Sequence, residues 1–427
     1  MVRSSSPFGE RFRLVCAVTI GLGLSSATSV GITGTLMMPA VVLRQPSRRS
    51  CYQTAAAFYA AALSPLIPGA RNFFGPNVSA FVAIGLWIVA SALLAFPWAC
   101  AWSADIRQAA WRVPLAIALA VIPPLGIIGW ASPLTAAGVL FPGLRLLGLV
   151  FCALLTGALA RWPRYALAIG SIITLSQNLI YRPPRPLSGW EGVNTHFGAI
   201  SHGQASPLRE YRTARWIQEH ALSSPASVIV FPETVVPVWT AAADAYWQTT
   251  FDKLNREGKT ILVGTRVPIR NRSAMPIQFE DFSQTLTVLT STQHTGRLPG
   301  PSQQAAGMLR VDYDNAVMIR GATTGEFRQR IPVPIAMWNP THVAGASMHL
   351  FGPSVVQIAN ERAAFLICYE QLLTWPIIRT LGSHPTILVA VANDYWATST
   401  GIPRFQDAAI RSWARLFGIP YVAATNT

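Results

Sequence analysis

The sequence predicts an α-helical polytopic membrane domain followed by an α/β domain, on three observations. Hydrophobic residues make up 51% of the 427 and charged residues only 12%, about half the charged share of an ordinary soluble protein. Between Arg11 and Arg185 the sole acid is Asp105, whereas acids and all seven histidines recur after Glu191. In that second part, short apolar β-branched runs alternate with helical stretches, the pattern of an α/β unit. The division falls at the proline-rich segment Tyr181 to Leu187, which gives a membrane domain at 1–185 and an α/β domain at 186–427.

Apolar runs near 14–38, 79–102, 113–130, 136–160 and 165–181 are long enough to span a bilayer, at about 20 residues each. A shorter run lies at 54–69, so five or six spans are expected. The first run is too long for the apolar core of a cleaved signal peptide, and further spans follow it. The loop with Arg107 and Arg112 and the loop with Arg161 and Arg164 are basic, while the intervening loop around Ser132 to Thr135 carries no charge. Positive charge marks the cytoplasmic side. The expected location is therefore a bacterial inner membrane, with the α/β domain in the periplasm and membrane lipids as partners. The formal charge of +15 is carried by arginine, since Lys253 and Lys259 are the only lysines. These arginines punctuate apolar runs instead of clustering on a soluble face, which argues against direct nucleic-acid binding.

Within the α/β part, residues 226–231 read as a buried strand ending at Pro232-Glu233-Thr234. A helix near 239–256 and a strand at 260–266 follow. Residues 307–320 read as a strand pair with a turn at Asp312 to Asn315. A strand at 363–367 delivers Cys368, Tyr369 and Glu370, a strand at 386–392 precedes Asn393-Asp394-Tyr395-Trp396, and Gln406 to Phe417 form a helix. Functional groups at the carboxyl ends of buried strands are where open α/β sheets place their sites. Cys16, Cys51, Cys100 and Cys152 lie in or beside the membrane domain, which leaves Cys368 alone in the α/β part. Such a thiol is either a small buried hydrophobe or a nucleophile. Trp375, Trp396 and Trp413 read as core or interface aromatics. The histidines lack metal-ligand spacing and no glycine-rich phosphate loop is present, so neither a metal nor a cofactor is expected.

Taken together, FPET at 231–234, LICYE at 366–370, and the tail from Asn393 through Gln406 to Thr427 resemble the nitrilase (carbon-nitrogen hydrolase) superfamily. The layout is similar to its membrane-bound branch, which includes apolipoprotein N-acyltransferase, and closer still to conjugal transfer proteins of the TraB type. The resemblance implies a four-layer α-β-β-α domain with Cys368 as nucleophile, Glu233 as general base and Glu370 as a further carboxylate. It places Tyr369, Asn393 and Trp396 at the pocket. The family segment aromatic-x-Lys-x-x-Leu-Val-Pro aligns with Phe327 to Pro334, which puts Gln329 at the lysine position. Where the acyltransferases continue Phe-Gly-Glu, this chain has Ile335-Ala336-Met337. Two functions stay open: a cysteine-dependent acyltransferase or amidase, and a nitrilase-fold assembly factor of the mating pilus that has lost turnover. The partners implied are a pilin, a lipoprotein or another protein of the conjugation apparatus. The chain stops at Asn426-Thr427, where the resembled proteins continue with another strand and often a final span. An exposed sheet edge is therefore expected.

Overall fold

The computed structural model describes residues 7–75, 79–199, 207–269, 312–339 and 345–427. Helices fill the first part: α1 (Pro7–Ser25), α2 (Ser29–Gly34), α3 (Met38–Val42), α4 (Arg48–Ala62), α5 (Leu66–Phe74), α6 (Ala80–Ala101), α7 (Ile106–Trp111), α8 (Val113–Val121), α9 (Ala137–Leu140), α10 (Arg145–Arg161) and α11 (Pro163–Ile180). The second part runs β1 (Trp190–Gly192), α12 (Pro207–Ser223), β2 (Val228–Val230), α13 (Ala241–Arg256), β3 (Thr260–Pro268), β4 (Tyr313–Gly321) and β5 (Gly325–Arg328). It continues with β6 (Val355–Ile358), β7 (Glu361–Ile367), α14 (Thr374–Leu381), β8 (Ile387–Asn393), α15 (Ile402–Phe417) and β9 (Tyr421–Asn426).

Three of the expected spans are broken by backbone chemistry that hydropathy does not register. The run 14–38 turns after Ser25, and Thr28 Oγ1 caps the next helix by accepting the Gly31 N–H at 3.0 Å. The run 113–130 leaves its helix after Val121, at Pro123 and Pro124, which have no N–H to donate. The run 136–160 is interrupted at Pro142 and Gly143, the latter at φ 78°. Among the described residues, Ala80–Ala101 is the one helix both long and apolar enough to cross a membrane.

The strands form two sheets, one ordered β1-β2-β3-β4-β5 and the other β6-β7-β8-β9. In the first, β1, β2 and β3 run parallel while β4 and β5 run antiparallel to their neighbours. In the second, β7, β8 and β9 are parallel and β6 is antiparallel to β7. The facing sheets share one apolar core, in which Val230, Leu262 and Val317 meet Phe365, Val389 and Val391. The outer face of the first sheet, through Ile229, Ile261 and Val263, packs on α12 and α13. The outer face of the second, through Ala364, Leu366, Leu388 and Ala390, joins α14 and α15 in the same core as the N-terminal helices. The α-β-β-α layering is thus present, with its last layer sandwiched between a sheet and the helical part. Phe365 and Phe327 stack across the two sheets with centroids 4.7 Å apart.

Contact between the two parts is intimate. A Cβ at Gly138, in α9, would meet the Ser412 carbonyl oxygen of α15 at 1.7 Å, so only glycine permits this approach. Arg415 Nη2 donates to Asn178 Oδ1 at 2.6 Å, and Gly143 N donates to Arg415 O at 2.7 Å. The edge of β9 is partly covered, because Thr195 bridges to Asn426 and exchanges backbone hydrogen bonds with Thr425 and Thr427 at 2.9 Å.

The segment 312–320 departs from the expected strand pair. Residues 313–321 form one strand, and the hairpin falls after Gly321, before β5. The rest of the expected pair, 307–311, lies outside the described residues. Asp314 and Asn315 look like turn residues in sequence, but each is held in the strand by partners on its own face. Asp314 accepts from His349 Nε2 at 2.6 Å and pairs with Arg328 at 3.2 Å, while Asn315 binds Glu233 and Gln329.

Candidate active site

The two sheets converge at the carboxyl ends of β2 and β7. Glu233 stands three residues past β2 and Cys368 one residue past β7, both buried. Cys368 has φ 49° and Thr234, beside Glu233, has φ 53°. Left-handed backbone at a non-glycine residue costs about 1–2 kcal/mol and tends to mark functional positions. Gly264 of β3 lies under the carboxylate loop, and a Cβ there would stand 2.4 Å from Glu233 Cα.

Glu233 is fixed on both oxygens. Asn315 Nδ2 donates to Oε1 at 2.6 Å, and the Asn393 N–H donates to Oε2 at 3.0 Å. The Cys368 thiol lies close enough to this carboxyl for each group to bias the other's protonation. Burial raises the proton affinity of Glu233 above the usual carboxylate range, and hydrogen bonds from Asn315, Cys368 and Asn393 and the charge of Arg266 offset this only in part. Cys368 is pushed well above an ordinary thiol, first by burial and then by the carboxylates of Glu233 and Asp394. Asp394 itself rises to about 7, through burial and the charge of Glu233, opposed by Gln406. Gln406 also reaches Cys368 Sγ, with Nε2 at 4.0 Å. The Asp394 Oδ1 and Gln406 Oε1 atoms are buried without a hydrogen-bond partner among the described residues.

Gln329 is in the site, but its amide is committed on both sides. Oε1 accepts from Asn315 Nδ2 at 2.8 Å, and Nε2 donates to the Ile367 carbonyl, just before Cys368, at 3.0 Å. Glu370 is equally occupied. Its Oε1 accepts from Arg330 N at 2.7 Å, Arg330 Nε at 3.2 Å and Ile331 N at 3.1 Å, and its Oε2 accepts from Ile367 N at 3.1 Å. Arg330, wholly buried, also donates to Phe365 O at 2.8 Å and Ser354 Oγ at 3.1 Å. This ion pair ties the segment carrying Gln329 to the strand that carries Cys368.

The expected pocket residues separate. Asn393 reaches Glu233 through its N–H, while its Oδ1 accepts from Asn426 Nδ2 at 2.8 Å. Tyr369 turns to the helical part and donates its hydroxyl to Ile127 O at 2.9 Å. Trp396 does likewise. Its ring meets Phe73 of α5 edge-on at 5.3 Å, and Asn72 Nδ2 donates to its carbonyl at 3.0 Å and to Ser399 Oγ at 3.2 Å. The loop after Asn393 is therefore clasped by α5. Asn315, Gln406 and Arg266 are the site residues that sequence reasoning missed. Only strand register brings Asn315 and Arg266 there, as Cα partners across β3 and β4.

No family model matches the chain. It is 30% identical over 448 residues to the conjugal transfer protein TraB of Agrobacterium fabrum (strain C58), across 98% of this chain and 94% of that protein. It is 28% identical over 426 residues to a probable conjugal transfer protein TraB of Sinorhizobium fredii, across 98% of both. Among solved structures, an amidase of the nitrilase superfamily from Nesterenkonia AN1 overlays with a TM-score of 0.33 at 9% identity. That overlay covers 57% of this chain and 78% of the amidase, a likeness too distant to bear on chemistry.

Proposed function

The chain belongs to the family of TraB conjugal transfer proteins, and from that premise we propose that it is a thiol-dependent acyltransferase or amidase of the bacterial inner membrane. The observation that carries this is Cys368, held at φ 49° past the end of β7 and buried beside Glu233, a carboxylate fixed on both oxygens whose charge bears on the thiol. Backbone strain at a reactive side chain survives where the surroundings impose it. Glu233 takes the thiol proton as sulfur attacks an acyl carbonyl, and the C–S bond forms. Collapse of the tetrahedral intermediate expels the leaving amine or alcohol with a proton returned from Glu233 and leaves a thioester. An amine or water then takes the acyl group. Gln329 and Glu370 hold the walls of the site rather than exchanging protons.

The substrate is an acyl or amide group of an envelope polypeptide or lipid, such as a pilin or lipoprotein of the conjugation apparatus. Several features support a multi-span embedding of 1–185. Helices α1, α6, α10 and α11 have 19, 22, 17 and 18 residues, within the range of about 17–25 that crosses a bilayer. They carry outward apolar side chains, among them Phe12, Phe81, Phe96, Leu154, Ile172 and Leu179, which a water-soluble bundle would bury. The basic turn between α10 and α11 supports a cytoplasmic position there and a periplasmic α/β domain.

A second function, assembly of the transfer apparatus without turnover, is favoured by one observation. The charged groups that act on Cys368 are both acids, and the Gln329 amide is spent on protein partners. A trapped-acyl experiment separates the two. Membranes holding the protein are incubated with labelled phospholipid and examined for hydroxylamine-labile label, with Cys368→Ser and Glu233→Ala as controls. Label lost in both variants is the expected outcome. Label no higher than in Cys368→Ser would remove lipid acyl transfer and favour the assembly role.

A further inference from the structure

Arg266 is a site arginine with no ion pair among the described residues. Along β3, Leu262 points into the core between the sheets while Ile261 and Val263 point outward to α12 and α13, so alternation aims Arg266 at the inter-sheet side. Its Cα partner across the ladder is Asn315, which binds both Glu233 and Gln329. The guanidinium carbon sits 5.1 Å over the Tyr313 ring. The neighbouring arginines are spent: Arg328 pairs with Asp314 and Glu326, and Arg330 with Glu370. Arg266 makes no ion pair among the described residues, and its Nε is buried without a hydrogen-bond partner. A planar guanidinium left open in this way is suited to a forked anion.

We propose that Arg266 anchors a carboxylate of a polypeptide substrate beside Glu233, so that this site selects an acidic side chain or chain terminus near the bond that Cys368 attacks. The anion is placed on the β3 side of Glu233, where Arg266 faces Asn315 across the ladder and lies over the Tyr313 ring. A polypeptide is favoured over a lipid because β3 lies in the sheet covered by α12 and α13. It is the other sheet whose helices join the N-terminal bundle. The assignment rests on Cys368 as the group that meets substrate, but not on turnover.

The test uses thiol addition, which needs no acyl transfer. Full-length protein in detergent is treated with 3-maleimidopropionic acid or its uncharged methyl amide, and modification of the Cys368 peptide is followed by mass spectrometry. The acid is expected to react faster than the amide. Arg266→Gln should lower that preference about tenfold, the loss of one charge-assisted contact. Arg266→Lys should restore part of it, and a melting temperature equal to that of wild type in both variants is the check on folding. An acid-to-amide ratio equal in wild type and Arg266→Gln would overturn the anchor, as would a Cys368 that neither reagent reaches. Inorganic phosphate that abolishes the preference where N-acetylglutamate leaves it intact would overturn the carboxylate in favour of a phosphate ester. A preference that persists in a protein forming no acyl thioester would leave the anchor standing while the proposed turnover falls.

Discussion

Cys368, Glu233 and Asp394 each become negative on losing a proton, and they share one buried space. Burial and the two carboxylates hold the Cys368 thiol above its usual range, so its labelling by N-ethylmaleimide should climb from pH 7 to pH 9 without levelling off. Asp394→Asn removes one of the acids that raise it. At pH 8 this variant should label about three- to tenfold faster, an effect of half to one pKa unit, and slower labelling would contradict the arrangement. Stability follows the same group. Asp394 keeps its proton in the fold up to about 7, against an ordinary value of 3.8. The unfolded chain ionises first, so stability from the protonated form is fully present below pH 3.8 and is lost as the pH climbs to about 7. The melting temperature of Asp394→Asn should therefore gain on wild type across that window and hold a constant lead above it, as read by tryptophan fluorescence in detergent. Glu233 and Cys368 were legible in the sequence because each follows an apolar run within a short motif. Asn315, Gln406 and Arg266 were not, since an isolated amide or arginine gains meaning only from what register and helix packing set beside it.

At the scale of elements, the Glu370–Arg330 pair decides how the segment after β5 meets β7. Four N–H groups converge on that wholly buried carboxylate, so it holds structure. Glu370→Gln leaves a buried guanidinium without its counter-charge and should cost about 3–5 kcal/mol in unfolding free energy. Glu370→Gln with Arg330→Met should recover much of that loss in a denaturant titration. A Glu370→Gln protein of wild-type stability that lost acyl labelling would instead make the carboxylate catalytic. Strands β2, β3, β7 and β8 were readable to within a few residues, since β-branched apolar runs fix both type and face, whereas β1, β5, β6 and β9 were not read as strands. The strand β4 was misread at its start because Asp314 and Asn315 favour turns locally, and only partners distant in sequence make them strand residues. The N-terminal apolar runs were read as continuous for a related reason. Apolarity was visible, while the breaks at Thr28, Pro123–Pro124 and Pro142–Gly143 depend on backbone geometry.

For the whole molecule, one apolar core runs from the N-terminal helices through α15 and α14 to the outer face of the second sheet. Residues 186–427 produced alone would expose the buried faces of α14 and α15, and they should elute as aggregate in size-exclusion chromatography without detergent. A monodisperse, folded fragment would show that the layer closes without its neighbour. The contact at Gly138 has a consequence for inheritance. Because α9 and α15 meet backbone to backbone there, neither surface can change its relief without an answering change in the other. Exchange of genetic material at the proline-rich junction between relatives that differ at most positions would join halves whose surfaces never matched. The two halves should therefore descend together, and matched substitutions across α9 and α15 should outnumber independent ones wherever the lineage is sampled.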